Sequence, residues 1–132
     1  MATIMRDYEC KVISSSRELS VKEKIAIKDT RSCHKLDEMT ADGSSVLISP
    51  DYWVELHVHN EKSDDKEYNK FVIVDKSGEK YVTGSKPFWN SFGDIADEIL
   101  DNEIEDFTIE VKAYPSNNYK GKFFLSCELI VD

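Results

Sequence analysis

Three aromatic side chains occupy strand positions whose same-face neighbours are polar. Trp53 shares its face with Glu55 and His57, Tyr114 with Glu110 and Lys112, and Phe124 with Ser126 and Glu128. Successive strand side chains point to opposite sides of a sheet, so each ring is expected to face away from the apolar interior. Exposed rings among cations suit single-stranded nucleic acid, because bases stack on them for roughly 1–3 kcal/mol each while lysines follow the phosphates. The expected cations are Lys112, Lys120 and Lys122, the last two in the loop Pro115-Ser-Asn-Asn-Tyr-Lys-Gly-Lys122 together with Tyr119. Lys86 joins them at the start of a helix, where unpaired N–H groups and the dipole favour an anion. The competing expectation for the rings is packing beneath residues 1–45 or at a dimer interface, and for Lys120 and Lys122 a solvated loop. For Trp89, plain core packing is favoured over a ligand contact.

Other chemistry has less support. His57 and His59 lie two apart on a strand beside Glu55, a donor set that zinc or iron accepts, but no third ligand has a telling spacing. No metal or other cofactor is therefore expected. Cys10, Cys33 and Cys127 are odd in number and form no C-x-x-C pair, which fits a reducing compartment and small buried side chains better than disulfides or a catalytic thiol. With no phosphate-cradling loop, nucleophile elbow or dinucleotide fingerprint, the chain is expected not to be an enzyme.

The net charge of −9 opposes a phosphate ligand only until its distribution is considered. Seven carboxylates fall between Asp94 and Asp106 with no Lys or Arg among them, and setting them aside changes −9 to −2. Residues 1–35 hold eight Lys or Arg against five acids. The chain is polarised, and its acidic part is ordinarily a solvated helix end. It also offers Asp97, Glu98 and Asp101 as a surface for a basic partner.

These side chains must be placed by a β-rich fold of one domain. Tyr8 to Ser14 reads as a strand, and the Ser20-Val-Lys-Glu23 capping box predicts a short helix at 21–28. Thr30 to Ser45 lacks a sustained period and reads as loop or irregular hairpin. Tyr52 to Val58 alternates, Phe71 to Asp75 is apolar on both faces as a central strand requires, and Lys80 to Thr83 returns after the turn Lys76 to Glu79. Ser85 and Pro87 open an amphipathic helix, Lys86 to Leu100, with Phe88, Phe92, Ile95 and Ile99 on its apolar stripe; Gly93 suggests close packing. Phe107 to Tyr114 and Phe123 to Val131 form a final hairpin. The order β-β-β-α-β-β predicts a mainly β fold, an OB-fold-like five-stranded barrel over 46–132 with one helix between strands three and four. Residues 1–45 are then a strand and helix extension packed on it, and an α+β sandwich is the structural rival.

The stretches Lys80-Tyr-Val-Thr-Gly-Ser-Lys-Pro-Phe-Trp-Asn-Ser-Phe-Gly-Asp-Ile95 and Ser116-Asn-Asn-Tyr-Lys-Gly-Lys-Phe-Phe-Leu-Ser-Cys127 resemble the OB-fold single-stranded DNA-binding proteins of bacteriophages and mobile elements of Gram-positive bacteria. The resemblance spans about residues 52–131. It implies non-catalytic protection of single strands in replication or recombination. The partners it implies are single-stranded DNA, with RNA as an alternative, replication or recombination proteins, and further copies of the chain. The resemblance departs from better-known bacterial members, which recruit partners through an acidic tail, in that Leu129-Ile-Val-Asp132 reads as strand, so recruitment of that kind is not expected. The alternative function is an acidic, phage-encoded inhibitor or interaction module that captures a basic host protein. No apolar run is long enough to cross a bilayer, and Arg6 and Asp7 stand where a signal peptide needs apolar residues, so the bacterial cytoplasm is the expected compartment.

Overall fold

The computed structural model describes residues 6–116, 118 and 120–131. Its elements, in chain order, are β1 (Tyr8–Ser15), α1 (Val21–Lys28), β2 (His34–Lys35), α2 (Leu36–Met39), β3 (Val46–Ile48) and β4 (Pro50–Asn60). There follow β5 (Glu67–Asp75), β6 (Lys80–Thr83), α3 (Lys86–Asp101), β7 (Ile109–Pro115) and β8 (Phe123–Leu129). A 3-10 turn at Thr30–Ser32 precedes β2, so the segment that reads as loop is a chain of short elements.

Two sheets result. The larger has the order β1-β4-β5-β6-β2 and the smaller β3-β7-β8. Only Ser49 separates β3 from β4, so Val46 to Asn60 is in effect one bent strand shared between the sheets. Pro50 sits at the bend, where its missing N–H removes a ladder donor. The register between β4 and β5 shifts there, between Pro50 and Tyr52. β4, β5 and β6 form the expected antiparallel meander, and β7 and β8 the expected hairpin. Among the described residues β6 and β8 do not pair, so there is no closed five-stranded barrel.

The gap is covered by α3. Ser85 caps the helix by accepting from the Phe88 N–H at 3.3 Å, and Phe88, Phe92, Ala96 and Ile99 are buried along one stripe. Their core joins Ile73 of the larger sheet to Ile48, Ile109, Val111 and Leu125 of the smaller. The backbone N–H of Cys127 donates to Ser91 Oγ at 3.2 Å, so a helix side chain occupies the free edge of β8. Gly93 is not a site of close packing, because a Cβ there would meet nothing within 4 Å.

The opposite face of the larger sheet holds a second core. Val54, Leu56, Val72, Val74 and Val82 pack against Leu19, Ile27 and Cys33 of the N-terminal segment. Ser20 accepts from the Glu23 N–H at 3.1 Å while the Glu23 carboxylate accepts from the Ser20 N–H at 2.9 Å, the reciprocal box that starts α1. Within the described residues 6–45, β1 pairs with β4 along its length, and Leu19, Ile27 and Cys33 pack on a face of the larger sheet. No helix is long and apolar enough to cross a membrane among the described residues.

Candidate nucleic-acid interface

The outer face of the small sheet brings three of the expected residues together. Tyr114 pairs with Phe124 across β7 and β8, and their rings stack at 5.9 Å between centroids and 28° between planes. Phe124 is 37% exposed, and Phe123 beside it is 68% exposed. Lys112 is next but one along β7, and the loop that follows Pro115 carries exposed Lys120 and Lys122 at the same end of the hairpin. Tyr119 lies outside the described residues. The ring pair thus forms the base of a basic loop.

Two features temper this surface. Lys112 Nζ lies 3.2 Å from Glu110 Oε1, an exposed pair whose partner competes with any phosphate. Tyr114 donates its hydroxyl proton to Glu128 Oε1 at 3.2 Å. Lys120 and Lys122 are the better candidates for phosphate contact.

Trp53 and Lys86 lie elsewhere. Trp53 does not point outward: its ring meets Phe92 edge-on at 5.1 Å and Phe107 at 5.9 Å, beneath α3. Alternation separated the faces of β4 correctly, but both faces are covered at Trp53, and its polar same-face neighbours Glu55 and His57 lie further along the strand. Lys86 is exposed, with Nζ 6.0 Å from the ring of Phe71, which stacks on Trp89 at 4.6 Å. It stands over the larger sheet and does not join the Tyr114 surface. Asp97, Glu98 and Asp101 are exposed on α3, away from the ring pair on the far side of the small sheet.

Sequence reasoning missed a groove of about 560 Å³ bounded by Tyr8, Ile25, Lys28, Asp29, Arg31 and Lys70, three cations and one carboxylate. Lys70 Nζ donates to Thr30 Oγ1 at 3.1 Å, and Arg31 is held by Asp29 at 2.9 Å. The cation excess of residues 1–35 was its only sequence signal, because Lys70 arrives from a different strand.

The two histidines belong to a hydrogen-bonded chain on the open end of the larger sheet. His57 lies between Asn69 Oδ1 at 2.7 Å and Glu67 Oε2 at 2.9 Å. His59 lies between Glu67 Oε1 and Glu61 Oε1, both at 2.7 Å. These partners occupy all four imidazole nitrogens, and no three His, Cys, Asp or Glu converge as metal ligands among the described residues. Hydrogen bonds to Asn69 and Glu67 raise His57 above its ordinary value, and bonds to Glu67 and Glu61 raise His59. Bonds to His59 hold Glu61 and Glu67 below theirs.

A group raised on folding stabilises fully below its unfolded value, here 6.5, and loses that contribution as pH rises through the folded value. Depressed carboxylates contribute above 4.5 and lose it as pH falls. The contribution of this hydrogen-bonded chain is thus greatest between about pH 4.5 and 6.5. The urea midpoint is expected to be higher at about pH 6 than at pH 8.5, with the difference shrinking in the variant His57→Gln/His59→Gln. An unchanged difference in that variant would place the pH dependence elsewhere.

Cys33 and Cys127 are buried and Cys10 is half-buried. Burial raises all three thiols, Cys127 to about 11, so none is poised as a thiolate. No protein-family model, curated protein or solved structure matches the chain.

Proposed function

We propose that this chain binds single-stranded DNA without catalysis, at the end of the β7–β8 hairpin. The observation that carries the reading is the Tyr114–Phe124 ring pair at the base of a loop with Lys120 and Lys122. A stacked pair on the outer face supplies π-surface for bases, and the lysines supply charge for the backbone.

The path of the chain supports it. A bent strand shared by two sheets, two strands that follow it in a meander, a helix, and a hairpin that returns beside the start of the bent strand are compatible with a partly open Greek-key reading. On that reading β3/β4, β5, β6, β7 and β8 are the five OB strands, and α3 fills the opening between β6 and β8. OB-folds bind oligonucleotides on the face of strands two and three and with the loops after strands one and four. Here Val72, Val74 and Val82 on the outward face of β5 and β6 are covered by Leu19, Ile27 and Cys33 of the N-terminal segment. The binding surface is therefore shifted to the loop after the fourth strand and the outer face beside it.

The test is a salt series of fluorescent poly-dT titrations on the protein and on Lys120→Ala/Lys122→Ala. Each phosphate contact on a single strand contributes about 0.7 to the slope of log K against log salt, so the double variant is expected to lose about 1.4. An unchanged slope would contradict this site. The same change in Lys28→Ala/Lys70→Ala, with none in the loop variant, would move the backbone path to the groove at Tyr8.

A further inference from the structure

We propose that the end of α3 and the end of β8 together form a docking groove for a cationic amphipathic segment of another protein. This goes beyond single-strand binding and uses none of the same residues.

The groove holds about 660 Å³ between Ile99, Ile104, Phe107, Leu129, Ile130 and Val131. Isolated exposed aliphatics are ordinary, but here Ile104, Leu129, Ile130 and Val131 are all exposed around one depression, Val131 at 81%. That grouping leaves apolar surface in water that a partner would remove.

The end of the helix is held in a defined shape. The Ile104 N–H donates to the Ile99 carbonyl at 3.0 Å and the Glu103 N–H to the Leu100 carbonyl at 3.2 Å, the two bonds of a Schellman motif. Glu103 takes the left-handed position at φ 53°, where glycine is the unstrained residue. The motif turns Ile104 back beside Ile99, so both line the groove. A carboxylate stands at the position where the turn alone would favour Gly.

Charge selects the occupant. Glu103, Glu105 and Asp106 are exposed on the segment that bounds the groove, and Asp106 lines it together with Lys76. Among the described residues the cation paired with this run is Lys76, 3.3 Å from Asp106. A second copy of the chain is a poor occupant, because a two-fold contact would set two such acidic rims against each other. A segment with apolar residues on one face and Lys or Arg on the other satisfies both the groove and its rim.

The test is fluorescence anisotropy of the full chain with two labelled synthetic peptides of equal positive charge. One is an amphipathic helix of lysine and leucine, and in the other serine replaces every leucine. The leucine peptide is expected to bind at least about tenfold more tightly, the effect of burying one to two aliphatic side chains. Val131→Glu, at a site too exposed to disturb folding, is expected to weaken it about tenfold. Glu103→Lys/Glu105→Lys, on the segment that carries Ile104 and Phe107, is expected to abolish capture, with circular dichroism confirming an intact fold. Equal binding of both peptides, no binding, or unchanged affinity in Val131→Glu would overturn the proposal. So would sedimentation showing that the free protein pairs through this face.

Discussion

Phe92→Ala is expected to leave the protein unfolded or on the edge of unfolding. Phe92 is 1% exposed and touches three rings: Phe88 at 6.0 Å, Trp89 at 5.4 Å and Trp53 at 5.1 Å. Truncating a buried Phe costs about 3–5 kcal/mol, against about 5–15 kcal/mol for a whole domain. The position amplifies the loss. Trp53 belongs to the larger sheet, and the core that Phe92 shares with Ile109, Val111 and Leu125 belongs to the smaller, so α3 spans the gap that strand pairing leaves open. Urea denaturation should show a midpoint lowered by more than half, or no folded baseline at all. Phe123→Ala, at a 68% exposed position, should change it little. A normal midpoint for Phe92→Ala would mean that the helix does not hold the sheets together.

Tyr114→Ala and Phe124→Ala are each expected to weaken poly-dT binding by about 5- to 150-fold, the effect of losing roughly 1–3 kcal/mol of base stacking. The double variant should lose less than the product, because the rings stack on each other and one is the other's support. Folding should survive. The pair lies on the outer face, and a cross-strand aromatic pair contributes only about 0.2–1 kcal/mol. Equal affinity in the double variant, with normal circular dichroism, would remove the central feature of the proposed interface.

Much of the architecture was legible because periodicity reports local structure directly. The capping box at Ser20, the helix from Lys86 and the final hairpin all follow from side-chain type and spacing. Phe71 to Val74 were apolar on both faces because one side meets α3 and the other meets the N-terminal core. What spacing does not report is which elements cover a face. Trp53 illustrates the failure: alternation put it with Glu55 and His57, yet the helix covers only the first part of that face. Tyr114 and Phe124 carry the same kind of pattern, and there Phe124 is exposed and Tyr114 half-buried. The groove at Tyr8 was illegible for a related reason, since Lys28 and Lys70 meet only through packing of α1 near β5.

The most direct measurement is the affinity of the unmodified protein for fluorescent poly-dT at about 50 mM and 200 mM salt, with a duplex of equal length as competitor. Binding of the single strand that weakens steeply with salt and resists duplex competition is the predicted result. No binding at the lower salt, or an affinity indifferent to salt, would contradict the account.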